Sequence, residues 1–269
     1  MQPLEIISPE YSPEGHFSYH LYLELSDKLQ SAVIVSPESL QILKLVQRES
    51  DVESFISSLG DSGFKSCLVS LVNESSMLIP VTEFDASSIQ AELTMVNDRD
   101  ISAESIRWDS LNDPQANLAY TADPNLVARL EQQFNNISIG HSATFLIFLW
   151  NIESSGAKGN AMFCNSSAEG IEIACFKDSE LQYFNQFPNY GKNDLLYHLL
   201  NCSEVLDLKR DKLRLNLSGD LSQEQIIEIK KYFSVVNFLN PDSRLSYPEV
   251  LTSELKNKLY TLLQLHLCE

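Results

Sequence analysis

Glycine is scarce in this chain, with nine among 269 residues, and proline numbers ten. So few backbone breakers exclude collagen-like and low-complexity chains and point to an ordered protein. Positive charge is also scarce: 19 Lys and Arg stand against 37 Asp and Glu, a formal net charge of −18. A surface this negative repels phosphate backbones, so neither nucleic acid nor an anionic membrane is expected as a partner. The densest basic cluster, Lys209, Arg210, Lys212 and Arg214, is interrupted by Asp211 and reads as a solvated turn before a strand. The five cysteines are widely spaced, without a CxxC pair or a nearby Cys/His tetrad, which argues against zinc and fits a reducing cytosol. A long apolar run is missing too. The most apolar stretch, residues 143–152, is too short to span a bilayer and is expected to be a buried strand or helix. Residues 1–15 have neither a basic start nor an apolar core, so they are no signal peptide and read as a disordered or extended tail.

Catalytic motifs are absent as well. There is no HExxH, GxSxG or GxxxxGK[ST]. His16, His20, His141, His198 and His266 have no Cys, Ser or acidic partner at a recognisable spacing. A ribonuclease-H-type nuclease needs clustered carboxylates for two metals. Only Glu24 stands on the first strand, and the matching strand of the second half has none. No catalytic or metal-binding residue is expected; whether the chain is an enzyme is left open, with the balance toward none.

What is present is alternation. Residues 20–25 (HLYLEL), 32–35 and 40–46 read as strands joined by turns too short for a parallel crossover, hence an antiparallel meander. Ser50 with Glu53 makes a capping-box pattern, and Val52, Phe55, Ile56 and Leu59 mark the inner face of a helix that Gly60 stops. Residues 66–72 (SCLVSLV) follow as a buried strand, completing the order βββαβ.

The same order returns roughly 140 residues later. Residues 160–164, 171–176 and 181–187 read as strands. A helix then carries Leu195, Leu196, Leu199 and Leu200 on one face, and 212–217 (KLRLNL) alternates with period two. Ser222 and Gln225 cap a further helix with Ile226, Ile227 and Phe233 inward. Residues 235–239 form a strand, and a last helix starts near Ser246 with Leu255, Leu259, Leu262 and Leu263. The order βββαβαβα is that of a ribonuclease-H-like unit. The first half is less regular after residue 72: an apolar run at 77–80, a helix near 85–96, a short hairpin or loop over 101–120, and a helix capped by Asp123 with Pro124 in its first turn. The expected division is a tail at 1–15, a first unit at 16–120 and a second at 121–269.

Four segments carry a resemblance: Leu78–Ile79–Pro80 with Phe84 beyond it, the strand Leu181–Gln182–Tyr183–Phe184–Asn185–Gln186–Phe187, the helix start Asp194–Leu195–Leu196–Tyr197, and Leu215–Asn216–Leu217–Ser218–Gly219. In order and spacing the chain resembles an uncharacterised bacterial family, found mainly in bacteroidetes and known as a domain of unknown function, within the actin-like ATPase superfamily. The resemblance covers nearly all of the chain after the tail. It implies an α/β fold of two tandem ribonuclease-H-like units, each a mixed sheet with an antiparallel meander flanked by helices, and it supplies no activity.

The superfamily's ATP site implies three turns. Asp-x-Gly turns between the first two strands of each unit admit the phosphates, where glycine permits close backbone approach and the carboxylate works through magnesium. The first turn here, Leu25–Ser26–Asp27–Lys28–Leu29, has Asp without Gly; the second, Asn165 to Gly170, has Gly without Asp. The third, a Gly-Gly turn supporting adenosine, corresponds to Ser218–Gly219–Asp220. Gly219 and Asp220 are therefore the candidate cofactor-binding residues, as a degenerate adenosine turn; the plain alternative is a strand-to-helix turn whose Asp220 or Ser222 caps the helix. A binding role for the turn predicts that Gly219→Asp abolishes nucleotide binding and leaves the fold intact. No cofactor is expected, ATP with magnesium being the one the fold implies. The favoured reading is a cytoplasmic, non-catalytic scaffold or adaptor for an unknown protein partner; the alternative is a weak or divergent ATP-binding protein or ATPase. The absence of heptads argues against a coiled-coil dimer and leaves a homodimer through lobe surfaces open.

Overall fold

The computed structural model describes residues 3–60, 63–73, 76–97 and 100–269. Strands β1 (Leu4–Ile7), β2 (His20–Leu25), β3 (Gln30–Ser36) and β4 (Gln41–Arg48) precede helix α1 (Val52–Ser58) and strand β5 (Ser66–Leu71). An inserted subdomain follows: β6 (Ser76–Pro80), α2 (Ile89–Asn97), β7 (Ile106–Leu111) and β8 (Ala116–Thr121). Helix α3 (Pro124–Gln133), strand β9 (Ile137–His141) and helix α4 (Ser142–Ser154) lead to the second lobe. That lobe is β10 (Asn160–Ser166), β11 (Ile171–Lys177), β12 (Glu180–Phe187), α5 (Asp194–Val205), β13 (Arg214–Gly219), α6 (Gln223–Ile229) and β14 (Val235–Phe238), followed by α7 (Ser253–Lys258) and α8 (Tyr260–Gln264).

The strands form three sheets, in the orders β1-β4-β3-β2-β5-β9, β12-β11-β10-β13-β14 and β6-β8-β7. In both large sheets an antiparallel meander is extended by two parallel strands, β5 and β9 in one, β13 and β14 in the other. The repeated βββαβ order is therefore a repeated topology.

Several expectations are corrected. The first sheet does not close near Tyr120: β9 pairs parallel with β5, and Val127, Leu130 and Phe134 around α3 pack in the core of that sheet. A boundary at 120/121 would cut a sheet from its edge strand. The N-terminal segment is extended but not a free tail, because β1 pairs antiparallel with β4. Helix α1 is capped by Asp51, whose carboxylate accepts from Ser54 N at 2.8 Å, in place of a Ser50/Glu53 box. Ser246 starts no helix; it makes an isolated parallel bridge to Gln41, and Thr252 caps α7. Residues 106–121 are a true hairpin, and β6 completes its sheet. The Ser222–Gln225 capping box is formed as read.

Packing explains why residues 143–152 are so apolar. Leu21, Leu23 and Leu25 of β2 point to α1 and α3, while Tyr22, Val33 and Val35 point to Leu262 and Leu263 of α8 and to Phe145 of α4. The far side of α4 presents Leu146, Leu149 and Trp150 to Phe163, Ala174 and Phe176 of the second sheet. Helix α4 lies between the two sheets, and a helix apolar on nearly all faces is a buried one. Its exposed apolar residues, Phe148 and Ile152, lie on the remaining strip.

On α5, Leu195 and Leu199 are fully buried, while Leu196 and Leu200 are half-buried at the margin of the second core. Asp194 accepts hydrogen bonds from Tyr190 N and Gly191 N at 2.9 and 2.8 Å. Leu199→Ala should cost roughly 2–5 kcal/mol, since it loses burial and leaves a cavity, whereas Asp194→Ala should cost a capping-sized ~1 kcal/mol. Urea denaturation of the two variants checks this; equal, small shifts of both midpoints would show that α5 is not packed as described.

Candidate functional site

The β2–β3 and β10–β11 turns lie at corresponding ends of the two large sheets, and they touch. Ser26 Oγ accepts from Lys28 N and Leu29 N at 3.2 and 2.9 Å, which folds the first turn on itself. In the second turn Ser167 Oγ accepts from Glu169 N and Gly170 N, both at 3.2 Å, and aims Glu169 at the first turn. The Glu169 carboxylate lies 2.8 Å from the Ser26 hydroxyl and 3.3 Å from Lys28 N through Oε1. Its Oε2 is 3.5 Å from Lys28 Nζ, and that ammonium also donates to Ala168 O at 2.9 Å. Hydroxyl, backbone N–H and ammonium are the donors an oxyanion needs. Here they hold the chain's own carboxylate. Asp27, the acid noticed in the sequence, is exposed and takes no part.

Beneath the turns, register lines up two polar rows. Gln47, Ser31, Glu24 and Ser70 are successive neighbours across β4, β3, β2 and β5. Gln186, Glu172, Asn165 and Ser218 are the corresponding neighbours across β12, β11, β10 and β13. Asn165 donates to Glu172 Oε2 at 3.1 Å and accepts from the Ser218 hydroxyl at 3.0 Å. The Ser76 hydroxyl bonds Gln186 Oε1, tying the inserted subdomain to the second sheet. Burial pushes the carboxyl of Glu172 up to about 7, and burial together with the charge of Glu172 does the same to Glu24. Among the described residues no group of three or more His, Cys, Asp and Glu is placed to hold a metal ion.

Gly219 and Asp220 sit at the end of β13, on the edge of a pocket of about 300 Å³ that also includes Ile226, Lys230, Phe238 and Lys258. Gly219 has φ +95°, and a Cβ there would lie 2.0 Å from Ser166 O. Asp220 N donates to that same oxygen at 2.6 Å, so the glycine lets β13 close against β10. Asp220 pairs with Lys258 Nζ at 2.6 Å. The expectation that Gly219→Asp leaves the fold intact is therefore wrong, because any side chain meets backbone.

Three of the histidines are fixed by close neighbours. His20 Nδ1 is within 2.7 Å of Ser66 Oγ and 2.8 Å of Glu269 Oε1, so serine and acid share one nitrogen while Nε2 is buried without a partner. His198 stacks on Phe187 with centroids 4.2 Å apart. His141 is buried and held near 4 by desolvation; its Nδ1 accepts from Ala143 N at 3.1 Å and caps α4. Sequence reading missed Lys28 and Glu169 as partners. Their one local signal is Ser two residues before each, the residue that folds each turn.

Two measurements follow from this geometry. Raised carboxyl pKa values mean that the folded chain holds protons on Glu24 and Glu172 more tightly than the unfolded chain. Their contribution to stability is full below the unfolded value of about 4.3 and drains away as pH rises through about 7. Glu172→Gln should therefore gain on the wild type as pH climbs from about 4 to about 8, read as the difference between two urea-denaturation series; a flat difference would refute the coupling. Gly219→Ala should cost more than the ~1–2 kcal/mol that a left-handed φ alone costs alanine, because the Ser166 carbonyl must also move; an unchanged melting temperature would refute it.

The sequence profile described as "Protein of unknown function (DUF3822)" matches residues 10–236. No curated protein matches the chain. Among solved structures it is similar to a Bacteroides thetaiotaomicron protein with actin-like ATPase fold and unknown function, with TM-score 0.75 and 18% identity over 93% of this chain and 97% of that one. It is also similar to a chain of the PilM–PilN type IV pilus biogenesis complex, with TM-score 0.64 and 11% identity over 93% of this chain and 98% of that one. At such identities the likeness establishes the fold and leaves the activity untouched. With the two tandem sheets and a profile match spanning most of its length, the chain belongs to the DUF3822 family of proteins of unknown function and has the actin-like ATPase fold.

Proposed function

We propose that the chain is a scaffold or adaptor that binds another protein and has kept the bilobal fold without nucleotide turnover. The Glu169 carboxylate carries this reading. It fills the donors of the first turn, where a phosphate of a nucleotide in the cleft would have to bind. A phosphate entering there would have to displace Glu169 and then lie close to it, and like charges in a partly buried cleft repel strongly. The residues at this end of the cleft therefore do not suit a magnesium triphosphate. The similar PilM chain is known in a complex with another protein, PilN, which agrees with a protein partner. Buried free cysteines at 67, 164, 175 and 202 suit a reducing cytosol, and no helix among the described residues is long and apolar enough to cross a membrane.

A second reading, a divergent nucleotide binder, draws on the pocket beside Gly219 and Asp220, where Lys230 Nζ lies 5.7 Å from the centre of the Phe238 ring. Aromatic and cationic groups together suit a nucleobase and its phosphates. Titration of the purified chain with Mg-ATP by calorimetry separates the two. The scaffold reading expects no heat of binding up to millimolar ligand; a micromolar dissociation constant, lost in Lys230→Ala, would establish the second reading instead.

A further inference from the structure

A groove of about 360 Å³ lies above the carboxyl ends of β2 and β5, and the first turn, with Ser26 and Asp27, forms one of its walls. Its position is a switch point. The chain leaves β2 toward β3 on one side, and β5 flanks β2 on the other, so the connections part here and leave a crevice. Leu25, Val52, Leu71, Val72 and Leu126 give it an apolar floor. The segment 100–105 and the end of β8, both from the inserted subdomain, form its far wall. The volume is within the range of binding clefts.

Three carboxylates, Asp27, Asp100 and Asp123, stand exposed on the rim. Asp123 Oδ1 accepts from Asn125 N at 2.9 Å as the cap of α3. Among the described residues no ion pair engages any of the three, and the adjacent Lys28 is turned to Glu169 and Ala168. Open α/β crevices beside helix N-termini commonly take anions, but this rim opposes them. An occupant must place apolar side chains on the floor and positive charge at the edge. A second copy of this chain is a poor fit, since each copy carries a net charge of −18.

We infer that this groove docks an extended segment of a partner protein in which lysine or arginine residues flank two or three aliphatic ones. The inference rests on the scaffold reading and names the chemistry of its partner. Apolar contact with Leu25, Leu71 and Leu126 would supply most of the affinity, and the rim would set orientation and speed encounter.

The test uses the full chain and a fluorescein-labelled peptide, Lys-Leu-Val-Leu-Lys, followed by anisotropy at an ionic strength of about 0.15 M. A second peptide, with glutamate for lysine, is the reference. Two triple variants remove the same charge: Asp27→Asn with Asp100→Asn and Asp123→Asn at the rim, and Glu204→Gln with Asp207→Asn and Asp211→Asn on the exposed far end of α5. Asparagine keeps the cap of α3, and matched melting curves confirm folding. The basic peptide should bind and the acidic one should not. The rim variant should weaken binding by about tenfold or more, and the distant one by about twofold or less. Equal loss in both variants would reduce the effect to general charge attraction and overturn the assignment, as would failure of the basic peptide to bind. Mg-ATP calorimetry reads the Glu169 contact through a different ligand, although the groove shares Ser26 with it, so nucleotide binding alongside rim-dependent peptide binding would sink the scaffold reading and leave the groove standing.

Discussion

The first turn of a helix buried between two sheets has backbone donors that water cannot reach, and each must find a partner within the protein. At the start of α4 one of these donors, Ala143 N, is taken by the capping residue His141, and a second side chain, Asp109, holds the cap itself. His141 Nδ1 accepts from Ala143 N, and Asp109 of β7 takes His141 N at 2.8 Å and the Thr144 hydroxyl at 2.7 Å. Tyr120 of β8 donates to the other oxygen of Asp109 at 3.1 Å. Desolvation raises the Asp109 carboxyl, and these bonds pull it back. The inserted hairpin is thus bonded to the helix on which both large sheets pack, and the positions of the lobes, the insertion and the groove between them all follow from that joint.

Against this framework the Glu169 contact is a modest source of stability. An ion pair at a partly exposed site contributes about 0–1 kcal/mol, and a hydrogen bond to a charged group about 1.5–3 kcal/mol. The cores around α4 and α8 hold the lobes together; Glu169 occupies the space between the turns. The groups that set the shape of the cleft are thus separate from those that line it, and a fold constrains its site residues only loosely.

Local signals in the sequence carried far. Period-two runs and short turns located both meanders, and the Ser222–Gln225 box was legible because both partners are three residues apart. Ser50 and Asp51 are both good caps, and their order alone could not choose between them. The boundary was missed because β9 is a five-residue strand whose identity lies in its pairing with β5, some seventy residues earlier. The same holds for the site. Gly219 announced itself as a glycine ending a strand, whereas Ser26 and Glu169 are 143 positions apart and meet only once two sheets are in place.

The return of α8 to the first sheet has a consequence for biosynthesis. Tyr22, Val33 and Val35 rest on Leu262 and Leu263, so one face of the first sheet, met earlier only by Phe145 of α4, waits for α8 until more than two hundred residues after β3 have left the ribosome. At about 5–20 residues per second that interval is roughly ten seconds or longer. During it the nascent first lobe presents an apolar sheet face that is still partly bare, so its completion is coupled to the synthesis of the second lobe, and a ribosome stalled within that lobe would leave an adhesive half-protein behind.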